Sequence, residues 1–152
     1  MESYLNISTY PDAMQHLSAL ADQYHLRASQ TQHISYCLLG SDFAILLFLS
    51  RDGVDLRFVD LPEAGKHYCY ALAHYLFRHR RKKELVYPGN PGDLPPSVTI
   101  PIALSFCIEL LAASPDILSG DRTWLQTYDF DRMETPKIWL NDLHELTASK
   151  LI

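Results

Sequence analysis

Residues 34–60 read Ile34-Ser-Tyr-Cys-Leu-Leu-Gly40-Ser-Asp-Phe-Ala-Ile-Leu-Leu-Phe-Leu-Ser50-Arg-Asp-Gly53-Val-Asp-Leu-Arg-Phe-Val-Asp60. Gly40-Ser41 and Asp52-Gly53 divide this stretch into three short apolar runs. A Gly-Ser pair suits a type II′ hairpin and an Asp-Gly pair a type I′ hairpin, because each tolerates positive φ where the turn demands it. The middle run, Phe43 to Leu49, is apolar without a break, so both of its faces need cover. The last run alternates, with Val54, Leu56 and Phe58 on one side and Asp55 and Arg57 on the other. That is the pattern of an outer strand with one wet face. The stretch predicts an antiparallel meander of three strands, the central one most buried.

On either side the apolar period lengthens to that of a helix. Pro11-Asp12 is a start signal, and Met14, Leu17, Leu20, Ala21 and Tyr24 then form one stripe of a helix over 11–26, with His16, Asp22, Gln23 and Arg27 facing out. Ser29 to His33 is a polar link. Leu61-Pro62-Glu63-Ala64-Gly65 interrupts strand pairing and opens a second helix over 66–81. This helix is apolar around most of its circumference and therefore central. Prolines and glycines make 84–100 a loop. A third helix over 102–113 puts Leu104, Cys107, Ile108 and Leu111 on one face. Residues 120–131 read as irregular with a short helix, and a last helix over 135–148 is expected to bury Ile138, Trp139, Leu143 and Leu146. The reading is one α+β domain over residues 1–152: a three-stranded antiparallel β-meander packed against several α-helices, layered on one sheet face.

At 152 residues and 47% apolar, the chain can bury a core without staples. A net charge of −5 argues against polyanion binding over the whole surface. Cys37, Cys69 and Cys107 are odd in number and widely spaced, as expected of reduced core thiols. Met1-Glu-Ser-Tyr-Leu5 lacks the basic and apolar regions of a signal peptide. The apolar segment 100–113, broken by Pro101, Ser105 and Glu109, is short of the about 20 residues that span a bilayer. A soluble cytoplasmic protein without membrane association is expected.

No phosphate-binding glycine loop, GxSxG or HExxH occurs in the sequence. On the predicted second helix His67 and His74 would lie about 10 Å apart along the axis, too far to share an ion. A pocket with His67, His74 or Cys69 inside, roofed by the proline-rich loop, is the enzymatic alternative, a small hydrolase or metal-dependent enzyme. Five cations between Arg78 and Lys83 read as a helix end stabilised by its dipole, or alternatively as the contact of a nucleic-acid adaptor. Between Asp116 and Glu145 seven acids stand against three cations, with Trp124, Tyr128 and Phe130 interspersed. Acids around aromatic anchors are what an electrostatically steered interface uses. Asp121, Trp124, Asp129, Asp131 and Glu134 are therefore the candidate partner-binding set, with Asp55 and Arg57 on the outer strand as a second one. No catalytic residue, metal ligand or cofactor is assigned.

The opening helix through Leu20-Ala21, the meander Ile34-Ser35-Tyr36 with Gly40 to Phe48, and Ser50 to Phe58 together resemble the small intracellular immunity proteins that neutralise bacterial polymorphic toxins, including those of contact-dependent growth inhibition. The resemblance covers about the first 60 residues and carries no functional residue across. It implies a non-enzymatic cytosolic binder whose partner is a cognate protein toxin. Acidic patches are then often used against a basic nuclease domain, and nucleic acid is not the partner.

Overall fold

The computed structural model describes residues 7–50, 53–62, 64–80 and 96–149. Among them six strands, β1 (Arg27–Ser29), β2 (Tyr36–Leu39), β3 (Phe43–Ser50), β4 (Gly53–Asp60), β5 (Tyr68–Ala71) and β6 (Met133–Glu134), pair in chain order into one antiparallel sheet. The predicted meander is its centre, β2 to β4, registered through Leu38↔Ile45 and Ile45↔Phe58. The sheet is thus twice as wide as the sequence reading made it. β1 forms where the reading put the end of the first helix and the start of the polar link, and β5 from residues read as the first turn of a helix. Tyr68, Cys69 and Tyr70 sit well on a pleated surface. In β5 their backbone satisfies the edge of β4, which would otherwise lie open. β4 is accordingly no outer strand.

The helices are α1 (Pro11–Gln23), α2 (Leu72–His79), α3 (Pro96–Ala112), α4 (Pro115–Leu118) and α5 (Lys137–Ser149), with 3-10 turns at Ile7–Thr9 and Thr123–Thr127. They occupy both faces of the sheet, not one. Side chains alternate along β3, so Phe43, Ile45, Leu47 and Leu49 join a core with α1 to α4. Ala44, Leu46 and Phe48 join a second core with Leu143, Trp139 and Leu146 of α5. An uninterrupted apolar strand covered on both sides is the result the sequence leads to. α3 starts several residues before Ile102, and Pro101 lies inside it. Its buried face holds Leu104, Cys107, Ile108 and Leu111, as predicted. Ile138, expected in the core, is 51% exposed.

A single carboxylate fastens α5. Asp142, itself buried, accepts hydrogen bonds from Thr31 Oγ1 at 2.7 Å and the His33 backbone N–H at 2.8 Å, and its other oxygen lies 3.2 Å from the His33 ring. Burial pushes this carboxyl up, but the hydrogen bonds from Thr31 and His33 outweigh it and hold it below the ordinary 3.8. A depressed folded-state value contributes stability that is fully present above the unfolded value and lost as pH falls through the folded one. Asp142→Ala should cost about 1–3 kcal/mol, because it strands the Thr31 hydroxyl and the His33 N–H. In a Trp124→Phe background, where Trp139 on α5 is the one remaining tryptophan, its fluorescence should report release of the helix below about pH 4. Asp142→Asn should flatten that acid limb.

The first hairpin differs from its prediction in an instructive way. Gly40 N–H donates to the Phe43 carbonyl at 2.8 Å, so the loop residues are Ser41 and Asp42, and Gly40 is not among the positive-φ positions. Gly40 is required for space: a Cβ there would lie 2.3 Å from the Phe43 ring. The second hairpin closes at Ser50↔Gly53, with Gly53 at φ 144°. Arg51 and Asp52 lie outside the described residues.

Candidate partner-binding surfaces

The acids singled out in the sequence do not form one patch. Asp129 lies against the end of α2, accepting from Arg78 Nη1 at 2.7 Å and facing His79 Nε2 at 3.1 Å. These bonds, His79 first, hold its carboxyl below the usual range. The Arg78 guanidinium also sits 4.4 Å over the Phe130 ring, which His74 flanks at 5.8 Å. Glu134, at the β5–β6 edge, pairs with Lys66 at 2.9 Å, and nearby Arg132 stacks 3.8 Å over Tyr68. Asp121 accepts from the N–H and hydroxyl of Thr123 at 2.8 and 2.7 Å and so opens the 3-10 turn after α4. These bonds lower its pKa. Asp131 is exposed and has no side-chain partner among the described residues.

Trp124 belongs to the interior. It is 3% exposed, with Tyr75, Phe58, Tyr128 and Tyr70 rings 4.8 to 6.1 Å from its own. Its role as a surface anchor is corrected: the aromatics of this segment close the core. Tyr128, at the rim of the same cluster, accepts the Ala71 N–H with its hydroxyl at 2.8 Å, where β6 has ended and β5 would be left unpaired. Asp55 and Arg57 fall on the sheet face that α5 packs against, half-buried and paired at 2.8 Å.

Of the basic run, Arg78 and Arg80 are spent in the same manner. Arg80 grips Asp116 with two bonds of 2.6 and 2.7 Å, a fork that holds the carboxyl below its ordinary value. Arg81, Lys82 and Lys83 lie outside the described residues. The groups of the enzymatic alternative are dispersed. Cys69 is buried in β5, where desolvation pushes its thiol up to about 11 against the pull of Arg57. His67 precedes that strand, and His74 stands on α2 beside Phe130. Among the described residues no cluster of three or more His, Cys, Asp or Glu is placed to hold a metal ion. All three cysteines are free and buried.

What the sequence reading missed is a trough between α1 and α3. Two cavities of about 380 and 430 Å³ share His16, Ser105 and Ile108 as walls and run on from one another. Asp12 lines one end, and Gln23 with Glu109 the other. Towards its N-terminus α3 turns Val98 and Ile102 to solvent, 42% and 50% exposed. A signal for this existed: α3 carries no Lys or Arg, so Glu109 is the one charge on an outward side where a solvent-facing helix normally shows several. Starting the helix at 102 removed Val98 from view.

Comparison with known proteins finds no matching family model, curated protein or solved structure. Among the described residues no helix is long and apolar enough to cross a membrane.

Proposed function

We propose that the chain is an immunity protein: a cytoplasmic binder that neutralises a cognate bacterial toxin by covering its active site, without chemistry of its own. The observation that carries this reading is the apolar pair Val98 and Ile102, one turn apart on α3 and both standing in solvent. Apolar side chains grouped beside a trough mark an interaction surface. The charged side chains favour the same view: Asp55, Asp116, Asp129 and Glu134 each meet a cation of this chain. They organise the fold's outer layer, while Asp131, unpaired among the described residues, remains to steer a basic partner.

The test mixes the purified chain with the toxin encoded beside it. The expected result is a stoichiometric complex, read by calorimetry, in which toxin activity is lost. Asp131→Lys should slow association several-fold at low salt and leave it unchanged at high salt, the mark of a steering charge. A complex in which the toxin stays fully active would sink the proposal.

A further inference from the structure

We propose that the α1–α3 trough receives an amphipathic helix of the partner, with its apolar stripe on the floor and lysine or arginine on its flanks. This rests on the reading of the chain as a protein binder and names the element it would bind. The shape comes first. Residues 12, 16, 19 and 23 of α1 line the trough, and so do residues 101, 105, 108 and 112 of α3. Both sets are spaced by three and four, so the trough follows both helices for about 16 Å, three turns. Helical walls have already used their backbone hydrogen bonds. An extended segment would gain no backbone partners there, whereas a helix brings its own.

Charge then selects among helices. α1 and α3 together contain no Lys or Arg. Asp12, Asp22 and Glu109 are exposed on them and have no cation partner among the described residues. This contrasts with Asp42, Asp60, Asp116 and Asp129, each paired within the fold. Of the three unspent acids, Asp12 and Glu109 line the trough, one towards each end, and there they complement a cationic flank. A second copy of this chain laid face to face would set acid against acid.

The probe is a fluorescein-labelled Leu/Lys amphipathic helix about five turns long, long enough to be helical once docked. Its scrambled version and a Leu/Glu version serve as controls, read by anisotropy with the full chain. The Leu/Lys helix should bind, and the two controls should bind at least tenfold more weakly. Ser105 is exposed midway along the trough. Ser105→Trp, which fills it, and the Asp12→Lys/Glu109→Lys pair should each weaken binding at least tenfold, with thermal melts unchanged. If Ser105→Trp lowers the melt, the exposed double charge reversal decides. Equal binding of the scrambled peptide, indifference to the double charge reversal, or a dimer that Ser105→Trp dissociates would each overturn the proposal. A toxin bound equally by wild type and the double charge reversal would overturn the trough and leave the binder reading standing. A trough that binds the Leu/Lys helix in a chain that protects against no toxin would support the trough and remove the immunity reading.

Discussion

Phe58→Ala is expected to lower stability by about 3–5 kcal/mol, the range for removing a fully enclosed aromatic ring. Phe58 has no solvent exposure and lies at the point where the largest elements meet. Phe43 stacks on it at 5.5 Å, Trp124 meets it edge-on at 5.2 Å, and the Arg122 guanidinium sits 5.4 Å away. The central strands, the 3-10 turn at Thr123–Thr127 and the turn after α4 thus share one side chain. None of them can follow the others into the space it would leave. For a chain of this length the melting temperature should fall by roughly 10 °C or more, with an unchanged denaturant slope if the fold is retained. Ile138→Ala is the informative contrast: its side chain is half in solvent, so its cost should stay within about 0.5 kcal/mol.

Gly120→Ala should be nearly as damaging, for a reason of backbone and space together. Gly120 follows α4 with φ 84°; its N–H reaches the Ile117 carbonyl at 3.0 Å, and the Asp121 N–H reaches that of Asp116 at 3.0 Å. This is a Schellman closure, whose left-handed residue costs an alanine about 1–2 kcal/mol. The added Cβ would also stand 2.7 Å from the Phe43 ring. Overpacking of this kind adds about 1–3 kcal/mol. Gly40 crowds the same ring, so Phe43 lies between two glycines. The two contributions separate in a cycle: in a Phe43→Leu background Gly40→Ala should become close to neutral, while Gly120→Ala keeps its backbone cost. Urea unfolding of the three single and two double variants reads this directly. An unchanged Gly40→Ala penalty would mean that the ring is not what the glycine makes room for.

These glycines illustrate what the sequence carries and what it withholds. The meander is legible because uninterrupted and alternating apolar runs have only a few physical solutions; its register was not, since Gly40 and Gly53 flank the two loops instead of lying in them. Gly40 marks a turn correctly, yet its reason, an aromatic ring three residues on, exists only once the hairpin closes. β5 was hidden because Tyr68 to Phe77 is apolar but for His74: with so few polar gaps, periodicity cannot separate a strand followed by a helix from one long helix. The end of α1 shows the same limit, since its left-handed residue is His25 at φ 57°, where sequence rules look for glycine. For the candidate site, the acids of residues 116–134 were visible as charges, but their partners were not. Arg78, Arg80 and Lys66 come from well before them in the chain and reach them only through the packing of α2 and β5. The trough stayed out of sight because its walls are two helices separated in the chain by five of the six strands.

The order of the sheet has a further consequence. Its outermost members are three and two residues long, so each offers only a few backbone groups to another chain. A donated strand, or a second sheet meeting this one rim to rim, would thus find only two or three residues of an outermost strand to pair with, which favours association through the helices.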